Sequence, residues 1–280
     1  MRRFAFANRT CVLTGAAGGI GAALAIELAK RRMVLVLVDR NADGLAEVAA
    51  LAREVGAPDV ATYVIDLADG GDRRDLAAEV ASRFGGTDLL INNAGVTLMG
   101  TFEQNTMADF DWLLEINLHA VIRMTKAFLP QLVARPGSHI VNLSSMFGLI
   151  APPGQVAYVT SKFAVRGFTD ALRNELASRE VGATVVHPGG IKTNIAVNAR
   201  ISGDDPAGEQ ATQARRFAET ALTMPAEEAA RLIVAAVQAR KPRLLITKEA
   251  KAADWLVRIT PTRWWSVAQQ LAKRRDLPHP

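Results

Sequence analysis

The sequence lacks the features that would place a protein outside the cell or inside a bilayer. It has one cysteine, Cys11, so no disulfide can form within the chain, and a reducing compartment, the cytoplasm, is the expected setting. Nowhere do roughly 18 apolar residues follow one another, and a run such as Met33 to Val38 is too short to span a membrane as a helix. The two arginines after Met1 precede only a short apolar stretch that runs into Thr14-Gly15, which does not read as a cleaved signal peptide. The histidines, His119, His139, His187 and His279, form no ligand-spaced cluster, so no metal is expected. Internal repeats, low-complexity segments and domain linkers are also missing.

A net positive charge is missing from the body of the chain. The net charge is +5, yet residues 1–240 hold 24 Lys/Arg against 25 Asp/Glu, while residues 241–280 hold 9 against 3. The basicity belongs to the tail, and with no basic patch elsewhere a nucleic-acid partner is not expected. At 280 residues, 49% of them hydrophobic, the chain can bury a substantial core.

What is present is an alternation. Seven short apolar or β-branched runs read as strands: Thr10 to Leu13, Met33 to Val38, Ala61 to Ile65, Asp88 to Ile91, His139 to Leu143, Ala183 to Val186 and Arg243 to Ile246. Segments such as Gly21 to Arg31, Gly44 to Val55 and Asp72 to Phe84 repeat apolar residues at helical spacing. Strands alternating with helices predict an α/β fold: a doubly wound, Rossmann-like parallel sheet of about seven strands with helices on both faces. In such sheets ligands bind at the carboxyl ends of the strands. One domain is expected over residues 1–250, followed by a helical extension over 251–280. The irregular stretch from Gly189 to Met224 suggests a lid or binding loop.

The first strand runs into Thr14-Gly15-Ala16-Ala17-Gly18-Gly19-Ile20-Gly21, after which the pattern turns helical. Glycines let the backbone approach a pyrophosphate, and the start of a helix offers free N–H groups and a positive dipole end. The spacing is neither G-x-G-x-x-G nor a P-loop, so position after the first strand carries the reading. Asp39 ends the second strand, where its carboxylate can accept from ribose hydroxyls and repel a 2′-phosphate; Arg40 beside it could instead receive that phosphate. NAD is favoured and NADP stays open. Asp39 could equally cap the next helix, and Asp66 after the third strand has the same ambiguity. Asn92-Asn93-Ala94-Gly95 follows the fourth strand, where small residues permit close contact and the amides could brace the sheet edge.

Tyr158 and Lys162 are four residues apart in a helical segment, Ala157 to Leu176, and so share a face. A phenol with a pKa near ~10 works as an acid or base at neutral pH only if a neighbouring cation stabilises the phenolate. Ser145, just past the fifth strand, can polarise a carbonyl at the ligand-binding edge.

Taken together, Thr14 to Gly21, Asn92 to Gly95, Ser145, Tyr158 to Lys162, and Pro188-Gly189 with Thr193 resemble the short-chain dehydrogenase/reductase family over roughly residues 8–250. The resemblance implies a nicotinamide-dependent oxidoreductase that interconverts an alcohol and a carbonyl. It implies Tyr158 as general acid-base, Ser145 as substrate-orienting group, and Lys162 as the residue that lowers the tyrosine pKa and binds the nicotinamide ribose. Asn117 matches the fourth position, where the family's asparagine holds a water in a proton relay. By the same resemblance, the cofactor contacts are Gly15, Gly18, Gly19, Ile20 and Gly21, Asp39 and Arg40, Asp66 and Leu67 at the adenine, Asn92, Ala94 and Gly95, Tyr158 and Lys162, Pro188 and Gly189, and Ile191 and Thr193 at the nicotinamide. A homodimer or homotetramer is implied. The alternative of another class is a nonenzymatic regulatory or scaffold protein with the same fold.

Val96, Leu98, Met99, Phe147, Leu149, Ile150, Pro152, Pro153, Ile195 and Val197 are expected to face the substrate. Their apolar character points to a steroid-, retinoid- or lipid-like alcohol or ketone. The tail holds Trp255, Trp264 and Trp265, three of the four tryptophans. Thr260-Pro261 reads as a helix start, with Trp264, Val267, Ala268 and Leu271 on one face and Lys273, Arg274 and Arg275 at the end. This basic amphipathic helix can pack on the protein itself, on a partner subunit, or on an anionic membrane surface.

Overall fold

Alternate residues of a strand point to opposite faces, and here helices cover both faces, so the inner strands are mostly apolar and do not alternate with polar residues. The computed structural model describes residues 3–71, 73–201, 208, 212 and 219–274. In chain order its elements are β1 (Thr10–Thr14), α1 (Gly19–Ala29), β2 (Val34–Asp39), α2 (Ala42–Glu54), β3 (Val60–Val64), α3 (Arg74–Phe84), β4 (Leu89–Asn92) and β5 (Leu98–Met99). They continue with α4 (Met107–Leu114), α5 (Ala120–Val133), β6 (His139–Leu143), α6 (Val156–Leu176), β7 (Gly182–His187), β8 (Arg200–Ile201), α7 (Ala226–Gln238), β9 (Arg243–Leu245), α8 (Lys248–Ile259) and α9 (Trp264–Arg274).

The main sheet has seven strands in the order β3-β2-β1-β4-β6-β7-β9, with every pairing parallel. Each expected strand is present, its ends shifted by no more than two residues. The winding reverses between β1 and β4, so the crevice that opens there lies at the carboxyl ends of those two strands. On one face Leu13, Leu35 and Leu37 meet Leu24, Leu28, Ile233 and Val237 from α1 and α7. On the other, Val12, Val36 and Leu90 meet Met124, Phe128 and Leu172 from α5 and α6. Each such side chain, once buried, contributes about 1.5–3 kcal/mol.

A polar ladder crosses this apolar interior. Asn92 Nδ2 donates to Asn142 Oδ1 on the neighbouring strand at 2.8 Å and to Thr125 Oγ1 of α5 at 3.2 Å. Asn142 Nδ2 in turn donates to Thr169 Oγ1 of α6 at 2.9 Å.

Two features were not legible in the sequence. Leu98–Met99 and Arg200–Ile201 form a separate two-stranded parallel sheet, too short to show any periodicity. Between α4 and α5 the chain passes through one turn of π-helix, Glu115–His119, which buries Asn117 completely. Much of the irregular stretch expected between Gly189 and Met224 (202–207, 209–211 and 213–218) lies outside the described residues.

Helix α8 spans the boundary expected at residue 250. Thr247 caps it, its hydroxyl accepting from Ala250 N, and Arg243 on β9 pairs with Asp254 inside it. The last helix begins at Trp264, beyond the Thr260–Arg263 turn; Trp264, Val267 and Ala268 on its apolar face are half-buried, and Leu271 is exposed. Lys273 and Arg274 lie in its last turn, and Arg275 and His279 fall outside the described residues.

Candidate active site

The crevice at the β1/β4 reversal is a cleft of about 720 Å³. Its lining runs from Gly15, Ala17, Gly18, Gly19 and Ile20 past Asp39 and Arg40 at one end to Ser145, Tyr158 and Lys162 at the other. Gly15 and Gly19 hold φ of +65° and +52°, conformations that suit glycine. A methyl on Gly15 would lie 2.8 Å from the Ala94 Cα, and one on Gly21 would lie 1.9 Å from the Gly15 carbonyl oxygen. A methyl on Gly18 would meet nothing within 4 Å, so the cleft is open where α1 begins. That helix starts without a side-chain cap, leaving its first N–H groups to an incoming anion. These features fit a dinucleotide phosphate.

The turn is braced from two sides. Asn93 donates through Nδ2 to the carbonyls of Thr14 and Gly15, each at 3.0 Å, and the Thr14 hydroxyl accepts from the backbone N–H groups of Asn93 and Ala94. Asp39 accepts from Ala17 N through one carboxylate oxygen and from Asn41 N through the other, both at 3.0 Å. Asn41, not Asp39, caps α2.

Not every expected cofactor residue lines the cleft. Ala94, Gly95, Pro188, Gly189, Ile191 and Thr193 do, with Thr193 Cγ2 3.0 Å from where a Gly19 Cβ would stand. Gly21, Asp66, Leu67 and Asn92 do not. Gly21 packs behind the turn, Leu67 enters the core, Asp66 caps the 3-10 turn Leu67–Asp69, and Asn92 braces the sheet in the ladder described above.

At the inner end Tyr158 is 9% exposed and stands edge-on to Phe147, with ring centroids 6.1 Å apart. Burial raises its phenol pKa, and a hydrogen bond shared with Ser145 pulls it back. Lys162 Nζ donates to the Leu143 carbonyl at 3.1 Å and lies 5.5 Å from the Tyr158 ring centroid. Burial pushes this amine down to about 8. Ser145 thus offsets part of the cost of burial at the tyrosine.

Ser145 begins the 3-10 turn Met146–Gly148, its hydroxyl accepting from Phe147 N at 3.1 Å. That turn is tied to the end of β7: Met146 N donates to the Pro188 carbonyl, and His187 Nδ1 donates to the Ser145 carbonyl at 2.9 Å. Ser144 does not share the task of Ser145, since its hydroxyl is spent on the Lys162 carbonyl at 2.8 Å.

Asn117 lies just outside the cleft lining. Its Oδ1 accepts from Val96 N at 2.8 Å, and its Nδ2 donates to the Val96 carbonyl and, at 3.2 Å, to Ser161 Oγ, which donates to the Tyr158 carbonyl. Buried in the π-turn, it is not the surface residue that its flanking sequence allows. Gly95 sits close by, where a methyl would lie 3.3 Å from Lys162 Nζ and 3.4 Å from Asn117 Oδ1.

Of the residues expected to face substrate, Val96 and Ile195 line the cleft. Leu98 and Phe147 form an apolar cluster with Tyr158, Phe110 and Trp112, while Leu149 is buried and Val197 is 60% exposed. Sequence reasoning missed Trp112 and Arg200, both of which line the cleft, with the Arg200 guanidinium 4.8 Å above the Trp112 ring. The two-residue pairing of β5 with β8 and an ion pair with Asp109 of α4 bring Arg200 there, and no local pattern announces it.

The profile of the short chain dehydrogenase family matches residues 9–202. A Mycobacterium tuberculosis (strain ATCC 25618 / H37Rv) protein with the provisional name of oxidoreductase SadH is 41% identical over 256 residues, 91% of each chain. Estradiol 17-beta-dehydrogenase 11 of Macaca fascicularis is 37% identical over 180 residues, 64% of this chain and 60% of that one. Among solved structures, a short chain dehydrogenase/reductase from Burkholderia phymatum in complex with NAD superposes with a TM-score of 0.81 at 26% identity, covering 99% of both chains. A profile that spans more than half the chain, relatives of this likeness and a sheet wound in the same way leave one assignment: the chain belongs to the short-chain dehydrogenase/reductase family of oxidoreductases.

Proposed function

We propose that the protein transfers a hydride between NAD(H) and an apolar secondary alcohol or ketone of steroid-, retinoid- or lipid-like character. The observation that carries this reading is the meeting of Tyr158, Ser145 and Lys162 at the inner end of the cleft whose other end is the glycine turn. The nicotinamide, when bound, supplies or accepts the hydride. Gly15, Gly18, Gly19 and Ile20 receive the pyrophosphate, and Asp39, held by two backbone N–H groups, offers its carboxylate edge to the ribose. That carboxylate supports NAD over NADP, as does the NAD complex of the structural relative. Pro188, Gly189, Ile191 and Thr193 flank the nicotinamide end.

Tyr158 donates its phenolic proton to a carbonyl oxygen in reduction and takes one from a hydroxyl in oxidation. Ser145 holds that oxygen, and Lys162 supplies positive charge beside the phenolate and a donor for the nicotinamide ribose. Asn117 keeps Val96 and α6 in register so that these groups converge. The substrate class rests on the apolar cluster around Tyr158, with Trp112, and agrees with the steroid in the name of one relative. A cytoplasmic setting is supported by the single cysteine, Cys11, and a homodimer or homotetramer by the exposed Ile122, Val156 and Phe163 on α5 and α6.

Replacing Tyr158 by Phe should lower kcat/KM for a hydrophobic alcohol by about 10²–10⁴-fold while dinucleotide binding, followed by fluorescence titration, stays near wild type. Turnover by Tyr158→Phe at the wild-type rate would overturn the assignment. Equal turnover of a polyol and an apolar alcohol by the native enzyme would overturn the substrate class.

A further inference from the structure

At about 100° per residue, Lys248, Lys251, Ala252, Trp255, Arg258 and Ile259 fall within about 120° of one another around α8. All six are exposed, Trp255 by 65% and Ile259 by 54%. The opposite side of the helix is engaged: Ala250 is buried, Leu256 and Val257 are half-buried, and Asp254 is held by Arg243. The outward face is therefore a hydrophobic pair framed by three cationic side chains, of which Arg258 also reaches Asp254. On α9, Trp264 and Trp265 stack edge to face at 5.4 Å, and Leu271 is 48% exposed. Large apolar side chains left in water on two consecutive helices call for something to cover them.

We infer that this helix pair seats the protein on an anionic lipid surface. Residues 241–280 carry 9 Lys/Arg against 3 Asp/Glu, so an anionic partner is attracted, whereas a second copy pairing through the same face would set two strongly basic surfaces against each other. Indole rings settle at the headgroup level, with an apolar body and one N–H donor, and lysine stems bury their methylenes while the ammonium stays among phosphates. Among the described residues no helix is long and apolar enough to cross a membrane, so the contact is one of lying on the surface. Helix α8 also packs against the Met146–Gly148 turn that Ser145 begins, so docking would bring the surface to the substrate side of the fold. The attachment does not depend on the proposed reaction.

The full-length protein is floated with vesicles of phosphatidylcholine alone and of phosphatidylcholine with phosphatidylserine, at low and high salt, while tryptophan emission is recorded. Flotation with the anionic vesicles, a blue shift of the emission and release by salt are expected, with no flotation on phosphatidylcholine. Lys248→Gln with Lys251→Gln should weaken partitioning about 25-fold, near fivefold per lysine. Trp255→Ser with Ile259→Ser should abolish flotation. Both double variants should keep wild-type turnover of a water-soluble alcohol in lipid-free buffer, which shows that they fold. Absence of flotation on anionic vesicles, or equal flotation on neutral ones, would overturn the inference. So would a smaller oligomer by light scattering for Trp255→Ser/Ile259→Ser, which would assign the face to a second copy.

Discussion

Tyr158 and Lys162 are both buried, and burial drives their proton affinities in opposite directions: the phenol holds its proton harder and the amine holds its own less firmly, down to about 8. Lys162 Nζ stands 5.5 Å from the Tyr158 ring centroid, and on the proposed chemistry the loss of one proton from this pair supplies the base that an alcohol requires. On the proposed chemistry, kcat/KM for oxidation therefore rises as pH passes through the range around 8, and kcat/KM for reduction, which needs the proton, falls. Ser145 lowers the phenol pKa through its hydrogen bond. In Ser145→Ala the oxidation limb should shift to higher pH, besides reaching a lower plateau. A lower plateau with an unmoved inflection would show that Ser145 touches only the substrate.

The elements divide by how local their signals are. The seven strands and the helices between them were legible because each carries a local signal, a short apolar run or a helical spacing, and the glycine turn because its residues are contiguous. The β5–β8 sheet, the π-turn and Arg200 above Trp112 were not, since each depends on segments that meet only after folding. The placement of Asn92 shows the same limit. A sequence can put an amide after a strand, but whether it faces a cleft or the interior is a matter of packing.

Within the turn, Gly18 and Gly21 are equally conspicuous as letters and unlike as sites. Gly18 has φ of −168°, an extended conformation open to any residue, and free space beside it; Gly21 has a carbonyl oxygen where its methyl would go. Gly18→Ala should thus melt within about 0.5 kcal/mol of wild type yet bind dinucleotide at least about tenfold more weakly. Gly21→Ala should lose both stability and binding. Thermal melts with and without NAD separate the two, and an unchanged affinity in Gly18→Ala would place the pyrophosphate elsewhere.

For the molecule as a whole, two buried imidazoles set the acid limit. Burial depresses His139 to about 3 and His187 to about 4, below the ordinary value of 6.5, so the folded chain refuses protons that the unfolded chain accepts. Stability therefore falls as pH drops below about 6.5, at up to about 1.4 kcal/mol per pH unit for each histidine. Urea midpoints measured between about pH 7 and pH 4 should decline steeply, and a flat profile would mean that these rings are hydrated.

The ladder of Asn92, Asn142, Thr125 and Thr169 bears on how the chain finds this arrangement at all. Apart from His139, which bonds Thr184 on β7, strands β4 and β6 are otherwise runs of aliphatic residues, and apolar contacts alone tolerate a slip of one position. A slipped β6 would leave two amides without partners in hydrocarbon, at about 1–3 kcal/mol for each stranded group. The ladder thus acts as a ruler during folding: it admits one pairing of two strands that lie some fifty residues apart and fixes the edge at which the crevice opens before any dinucleotide arrives.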